Sequence, residues 1–190
     1  HRALLSNLSY IKKIANKSKI MSVLKANAYG HNLLNVAKTL KKSDGFAILS
    51  IEEAVKLREN GFRQTILLLE GFFEKDEVEI ASKLGINTTI HNQRQIELIN
   101  QVQPASPINI HLKINTGMNR LGFMPNEIDY LLESLNTNPY IGEIVLMTHF
   151  STADEKEGIH RQLLKFNNIA DNYNYLSSVA NSAAIIRYPE

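Results

Sequence analysis

Short apolar runs alternate along this chain with longer stretches in which apolar residues return every three or four positions. The short runs predict strands at Ile20–Leu24, Gly45–Ser50, Thr65–Leu69, Asn87–Ile90, Ile108–Ile114, Glu143–Thr148 and Tyr175–Val179. Between them the spacing predicts helices over Leu33–Lys42, Ile51–Asn60, Lys75–Leu84, Gln93–Gln101, Glu127–Leu135 and Ile159–Ala170, each with a polar outer face. A further helical pattern runs through Leu4, Leu5, Leu8, Ile11 and Ile14. Strands such as Ile20–Leu24 are apolar on both faces, which suits a parallel sheet covered by helices. Repeated β-α units leave a doubly wound sheet or a barrel. Seven strands with no mid-chain break favour a TIM-type (β/α) barrel, an α/β fold here one strand short of the usual eight. The opening helical pattern lacks a cap, and the chain closes on Arg187-Tyr188-Pro189-Glu190, where another element should begin. Both ends are therefore expected to be cuts in a longer protein.

Composition narrows the class without naming a chemistry. Of 190 residues 44% are hydrophobic and 21% charged, as in soluble globular domains. The 21 basic and 19 acidic residues are dispersed, so neither nucleic acid nor an anionic membrane is an expected partner. There is no cysteine, which excludes disulfides and thiolate metal sites, and no metal centre is expected. No run approaches a membrane span or a basic-then-apolar leader, so the expected location is the cytoplasm.

Reactive residues of α/β folds gather at the C-terminal ends of strands, and four such ends carry polar clusters. Lys25 ends the first strand, where partial desolvation favours a nucleophilic amine able to form a Schiff base with an aldehyde. Tyr29 follows four residues later, so one helical turn would bring its hydroxyl to a group bound at Lys25. A lysine that merely snorkels from a strand end is the competing reading. His111, Lys113 and Asn115 alternate on one face of the fifth strand, with Arg120 in the glycine-punctuated loop beyond. Such a face is costly in a dry core, so it looks into a polar site or, on an edge strand, into solvent. His149 ends the sixth strand, either as a ring neighbour of a ligand or as a structural histidine. Asn181 and Ser182 begin the last helix, as a phosphate cradle or as a simple N-cap. Amine, phosphate holder and ring neighbour together point to an aldehyde-phosphate cofactor.

At this point the segments Val23–His31, Leu112–Phe123, Thr148–Asp154 and Asn181–Ala184 resemble, in order, the sequence blocks of alanine racemases, and Leu67–Gly71 resembles that family's third strand. The resemblance covers essentially the whole chain. It implies a pyridoxal 5'-phosphate enzyme, a homodimer when intact, that interconverts L- and D-alanine for cell-wall supply. Lys25 would carry the cofactor and act as one of two bases, and Tyr29 and Ser182 would hold its phosphate with Asn181 alongside. Arg120 would lie by the phenolic oxygen and the substrate carboxylate, Lys113 would be carbamylated and hold Arg120, and His149 would lie against the ring. An eighth strand, a C-terminal β domain and the second base, a tyrosine acting across the dimer, are not matched by any segment here. The chain alone is accordingly expected to bind cofactor and lack full activity. The alternative within this barrel type is a non-catalytic pyridoxal-phosphate carrier. Two positions depart from the family pattern. Asn32 stands where glycine is usual, altering the start of the helix after Lys25, and Asn115 stands where aspartate is usual, removing a charge beside Lys113.

Overall fold

The computed structural model describes residues 1–189. Its parallel strands are β1 (Met21–Val23), β2 (Gly45–Ile48), β3 (Thr65–Leu68), β4 (Asn87–Ile90), β5 (Ile108–Lys113), β6 (Ile141–Met147) and β7 (Leu176–Ser178), and they pair in chain order. The helices are α1 (Arg2–Ile14), α2 (Lys25–Tyr29), α3 (Leu33–Thr39), α4 (Ile51–Glu59), α5 (Lys75–Leu84), α6 (Gln93–Val102), α7 (Ile128–Asn136), α8 (His160–Ala170) and α9 (Ser182–Arg187). Strand order equal to chain order, every pair parallel, is barrel winding, and the doubly wound alternative is excluded. The sheet curls without closing, for β1 pairs with β2 alone and β7 with β6 alone. Val23 and Leu176, on the inner face of those two edges, are exposed.

Strand pleating separates two environments. Phe46, Ile48, Ile66, Leu68, Ile90, Ile110, Leu112 and Leu146 face outward into the main hydrophobic core with Ala54, Leu57, Val78, Ala81, Ile99 and Leu132 of the helices. The alternate positions Ala47, Leu67, Thr89, His111 and Lys113 are also buried but lie outside that cluster, on the concave side. Helix starts are specified locally. The Ser50 hydroxyl accepts from the Glu53 amide at the start of α4, and the Asn92 carboxamide accepts from the Gln95 amide at the start of α6. Such caps turn the chain directly from β2 into α4 and from β4 into α6.

Two elements differ from the sequence expectation. Strand β6 begins at Ile141 rather than Glu143, because Ile141 and Ile108 extend the ladder past a register shift. The larger difference is α2, which is wound left-handed. Ala26, Asn27 and Ala28 have φ of 53–54° and ψ of 46–53°, and Tyr29 has φ 54°.

Candidate active site

The left-handed turn is where Lys25 and Tyr29 reside. Left-handed winding pushes each Cβ toward a carbonyl and costs roughly 1–2 kcal/mol per residue. Alanine at two of these positions gains nothing locally to offset it, so the surroundings must impose the conformation. Ala28 is buried in the core. The Asn27 amide donates to Glu53 Oε1 at 2.9 Å, and Asn27 Oδ1 accepts from the Leu33 amide at 2.8 Å. The result sets Lys25 Nζ over the Tyr29 ring, 5.9 Å from its centroid. The ring itself is exposed at the mouth. Asn32, the first departure from the family pattern, has φ 71°, a backbone that suits glycine and that asparagine tolerates better than most residues. Its side chain starts α3 by accepting from the Asn35 amide at 3.1 Å.

Beyond β5 the segment 115–122 leaves the sheet and returns. Its ends are joined by Asn115 N–H to the Phe123 carbonyl at 2.8 Å and Phe123 N–H to the Lys113 carbonyl at 2.9 Å. Asn115 Oδ1 accepts from the Gly117 and Asn119 amides at 3.1 and 3.0 Å, and its Nδ2 donates to Asn119 Oδ1 at 3.1 Å. The side chain that was expected to bear on Lys113 is therefore committed to the loop. Gly122 has φ 116°, and a Cβ there would lie 2.9 Å from the Lys113 carbonyl oxygen and 3.0 Å from Asn115 N. Only glycine closes this loop, and closing it suspends Arg120, exposed, at the mouth.

The edge-strand reading of His111 and Lys113 fails, because β5 lies between β4 and β6. Both residues are buried on the concave face. Burial pushes the His111 imidazole down to about 4, and its Nδ1 has no hydrogen-bond partner. Lys113 is lowered by burial first and then by the charge of Arg120, with Lys25 adding to it and Glu70 opposing. His149, half-buried two residues beyond β6, is lowered by burial and by Lys113, Arg120 and Lys25 in turn. The curl of the sheet thus draws cations from β1 and β5 into one field around a neutral imidazole on the β6 side. None of these cations is in ion-pair contact with a carboxylate among the described residues. Such a mouth is suited to an anionic ligand.

Across the mouth, Asn181 is spent as the N-cap of α9. Its Oδ1 accepts from the Ala184 amide at 3.0 Å, and its Nδ2 donates to the Phe150 carbonyl at 2.9 Å. Ser182 beside it is exposed. The sequence reading missed a group on the opposite side. His91 Nε2 meets the Glu70 carbonyl at 2.9 Å, and Gln95 Nε2 donates to the same oxygen at 2.7 Å. Gly71 has φ 75°, and a Cβ there would lie 2.5 Å from the Thr89 carbonyl oxygen, so the turn after β3 accepts only glycine. Glu53 was missed too. In Ser50-Ile51-Glu52-Glu53 it has the spacing of a capping box and reads as a helix start.

Comparison with known proteins fits this geometry. The family model described as alanine racemase, N-terminal domain, matches residues 1–190. An alanine racemase of Nitrosospira multiformis is 46% identical over 99% of this chain and 54% of its own length. Among solved structures, the biosynthetic alanine racemase of Pseudomonas aeruginosa superposes with a TM-score of 0.94 at 35% identity, over 99% of this chain and 53% of that one. The alanine racemase of Acinetobacter baumannii gives 0.90 at 36% identity, over 99% and 57%. The chain spans about half the length of the curated relatives it matches.

Proposed function

This chain belongs to the alanine racemase family, matched over the N-terminal domain, and on that footing we propose that the whole protein interconverts L- and D-alanine. We read residues 1–189 as its pyridoxal 5'-phosphate cradle. The observation that carries the reading is the mouth itself, where Lys25, Lys113 and Arg120 share one electrostatic field with a half-buried neutral histidine. A phosphate-bearing aldehyde fits that donor set: an amine, two exposed hydroxyls on Tyr29 and Ser182, and cations that pair with no acid among the described residues. The bound cofactor would supply an electron sink that acidifies the substrate's Cα–H.

The remaining chemistry belongs to this chain's own residues. Lys25 Nζ would hold the cofactor covalently and, once freed, take or return the Cα proton on one face. Tyr29 Oη and Ser182 Oγ would donate to phosphate oxygens, with Asn181 fixing the α9 start beside them. Arg120 would bind the substrate carboxylate through its guanidinium fork. His149 would present its imidazole to the ring. Lys113 has the buried, Arg120-facing setting that favours a neutral amine. Addition of carbon dioxide to that neutral amine, with loss of one proton to solvent, would give a carbamate anion that holds Arg120 where the ammonium form would repel it. Tyr29, the tyrosine set against Lys25 among the described residues, lies on the same turn, and we assign the opposite-face acid and the dimer partner to the part of the enzyme that the longer relatives have outside this stretch. No helix among the described residues is long and apolar enough to cross a membrane, and we propose a cytoplasmic location.

The test is reductive labelling. Protein loaded with pyridoxal 5'-phosphate and reduced with borohydride should carry pyridoxyl on Lys25, located by peptide mapping. Lys25→Ala should abolish both the label and racemisation in the intact enzyme. Label on another lysine would overturn the assignment.

A further inference from the structure

We propose that Glu53 is the positioning residue for Lys25, acting as a clamp that holds the Lys25–Tyr29 turn in its left-handed form. The inference rests on reading Lys25 as the cofactor lysine. Its own observations are the backbone of the turn and the single carboxylate that reaches it from the next β-α unit.

The turn has an energetic problem that its own residues do not solve. Ala26, Asn27, Ala28 and Tyr29 all have positive φ, and no glycine occurs until Gly30. Alanine strongly prefers the right-handed region. Left to itself, Lys25-Ala26-Asn27-Ala28-Tyr29 would wind right-handed or fray. Either change would redirect the Lys25 and Tyr29 side chains, whose present relation is the 5.9 Å approach of the ammonium to the ring.

Glu53 is the external contact at the middle of the strained stretch. Its Oε1 accepts from the Asn27 amide at 2.9 Å, a donor that the first turn of a five-residue helix cannot satisfy internally. Its Oε2 accepts from the Leu49 amide at 3.4 Å, tying the clamp to the end of β2. Its own amide is held by Ser50 Oγ at 3.3 Å, so the carboxylate projects from a fixed helix start. No lysine or arginine is within ion-pair distance of it among the described residues. In an ordinary capping box the carboxylate at this position returns to the N-cap amide. Here the side chain passes over that amide and crosses to the neighbouring unit. The second tie, Leu33 N–H to Asn27 Oδ1 at 2.8 Å, holds the exit of the turn and depends on Asn27 staying in place.

A clamp differs from a general structural prop in one measurable way. If Glu53 only stabilises α4, its loss is indifferent to the residue type at position 26. If it holds a conformation that alanine resists, glycine at position 26 should relieve the loss. In the full-length protein, Glu53→Ala should slow pyridoxyl labelling of Lys25 by about tenfold, the effect of relaxing one strained residue. The double variant Glu53→Ala, Ala26→Gly should label within about threefold of wild type. Glu53→Gln keeps an acceptor oxygen for Asn27 and should label as wild type does. Where Glu53→Ala fails to fold, Glu53→Asp, one methylene too short to reach Asn27, takes its place. Independently of cofactor, HN–Hα couplings of Ala26, Asn27 and Ala28 should report positive φ in wild type and lose it in Glu53→Ala. Labelling and couplings unchanged in Glu53→Ala, or no rescue by glycine, would overturn the clamp. If wild-type Lys25 takes no label while the couplings behave as stated, the cofactor reading fails and the clamp stands as a backbone device.

Discussion

After β1 the chain turns through four consecutive non-glycine residues at positive φ; after β5 it turns through Gly117 and Gly122, with Asn119 the one non-glycine at positive φ. Both turns deliver a cation, Lys25 or Arg120, to the same mouth. Their conformations are specified from different distances. In the β5 loop, glycine makes the unusual backbone cheap, and Asn115, at the base of the loop, ties it with three hydrogen bonds. In the β1 turn only Asn27 tolerates the conformation locally, and the contacts that enforce it on its neighbours come from α4, the core and the start of α3. A short motif can therefore carry its shape in its own residues or borrow it from the fold.

The most damaging way to break this comparison is to deprive the β5 loop of its glycine. Gly122→Ala sets a Cβ against the Lys113 carbonyl and the Asn115 nitrogen at a φ of 116°. Destabilisation of about 3–4 kcal/mol is expected, measured as the shift in urea midpoint. A shift under about 1 kcal/mol would mean that the loop is not closed as described.

Acid separates the two turns next. The strand before Lys25, Met21-Ser22-Val23, contains no titratable side chain, whereas β5 carries buried His111. The His111 imidazole titrates at about 4 in the fold against 6.5 ordinarily, because burial disfavours the imidazolium. Its neutral form thus contributes fully above pH 6.5, and the contribution is lost as pH falls toward 4. Stability should drop by about 2–3 kcal/mol between pH 7 and pH 4.5 from this group. His111→Phe should flatten that drop, and wild-type amide exchange should rise in 115–123 before 25–29. An equal acid loss in His111→Phe would remove the asymmetry.

The smallest effect sharpens the comparison. Ala26 is exposed and left-handed, so Ala26→Gly should stabilise the protein by about 0.5–1 kcal/mol, read from the urea midpoint. In most helical turns the same change destabilises. Destabilisation here would show that residues 25–29 do not wind left-handed in solution.

Much of this was legible from the residues. Periodicity located the seven strands and the architecture to within a residue or two at most ends, because Ile66, Leu68, Ile110 and Leu112 alternate with inner-face positions as pleating requires. The strand-end rule brought Lys25, Lys113, Arg120 and His149 to one mouth. Asn32 and Asn115 looked like departures at the site, yet both are accounted for by backbone work, one as a cap and one as a loop tie. Handedness was not legible, since of Ala26-Asn27-Ala28-Tyr29 only Asn27 tolerates positive φ well, and one asparagine does not announce four such residues in a row. The His91–Gln95–Glu70 group was hidden as well, because its bonds span two β-α units.

The sequence by itself determined the elements, their parallel winding and which residue types end each strand, since these follow from local periodicity, caps and connection rules. Only the tertiary structure decided how those residues act on one another. Curling of the sheet set Lys25 in the field of Lys113 and His149, residues roughly ninety and more positions away along the chain. The reach of Glu53 from α4 to the turn after β1 gave the Asn27 amide a carboxylate and so held a backbone that most of its own residues disfavour. Charge coupling and imposed strain depend on distances across the fold, and no local pattern encodes those.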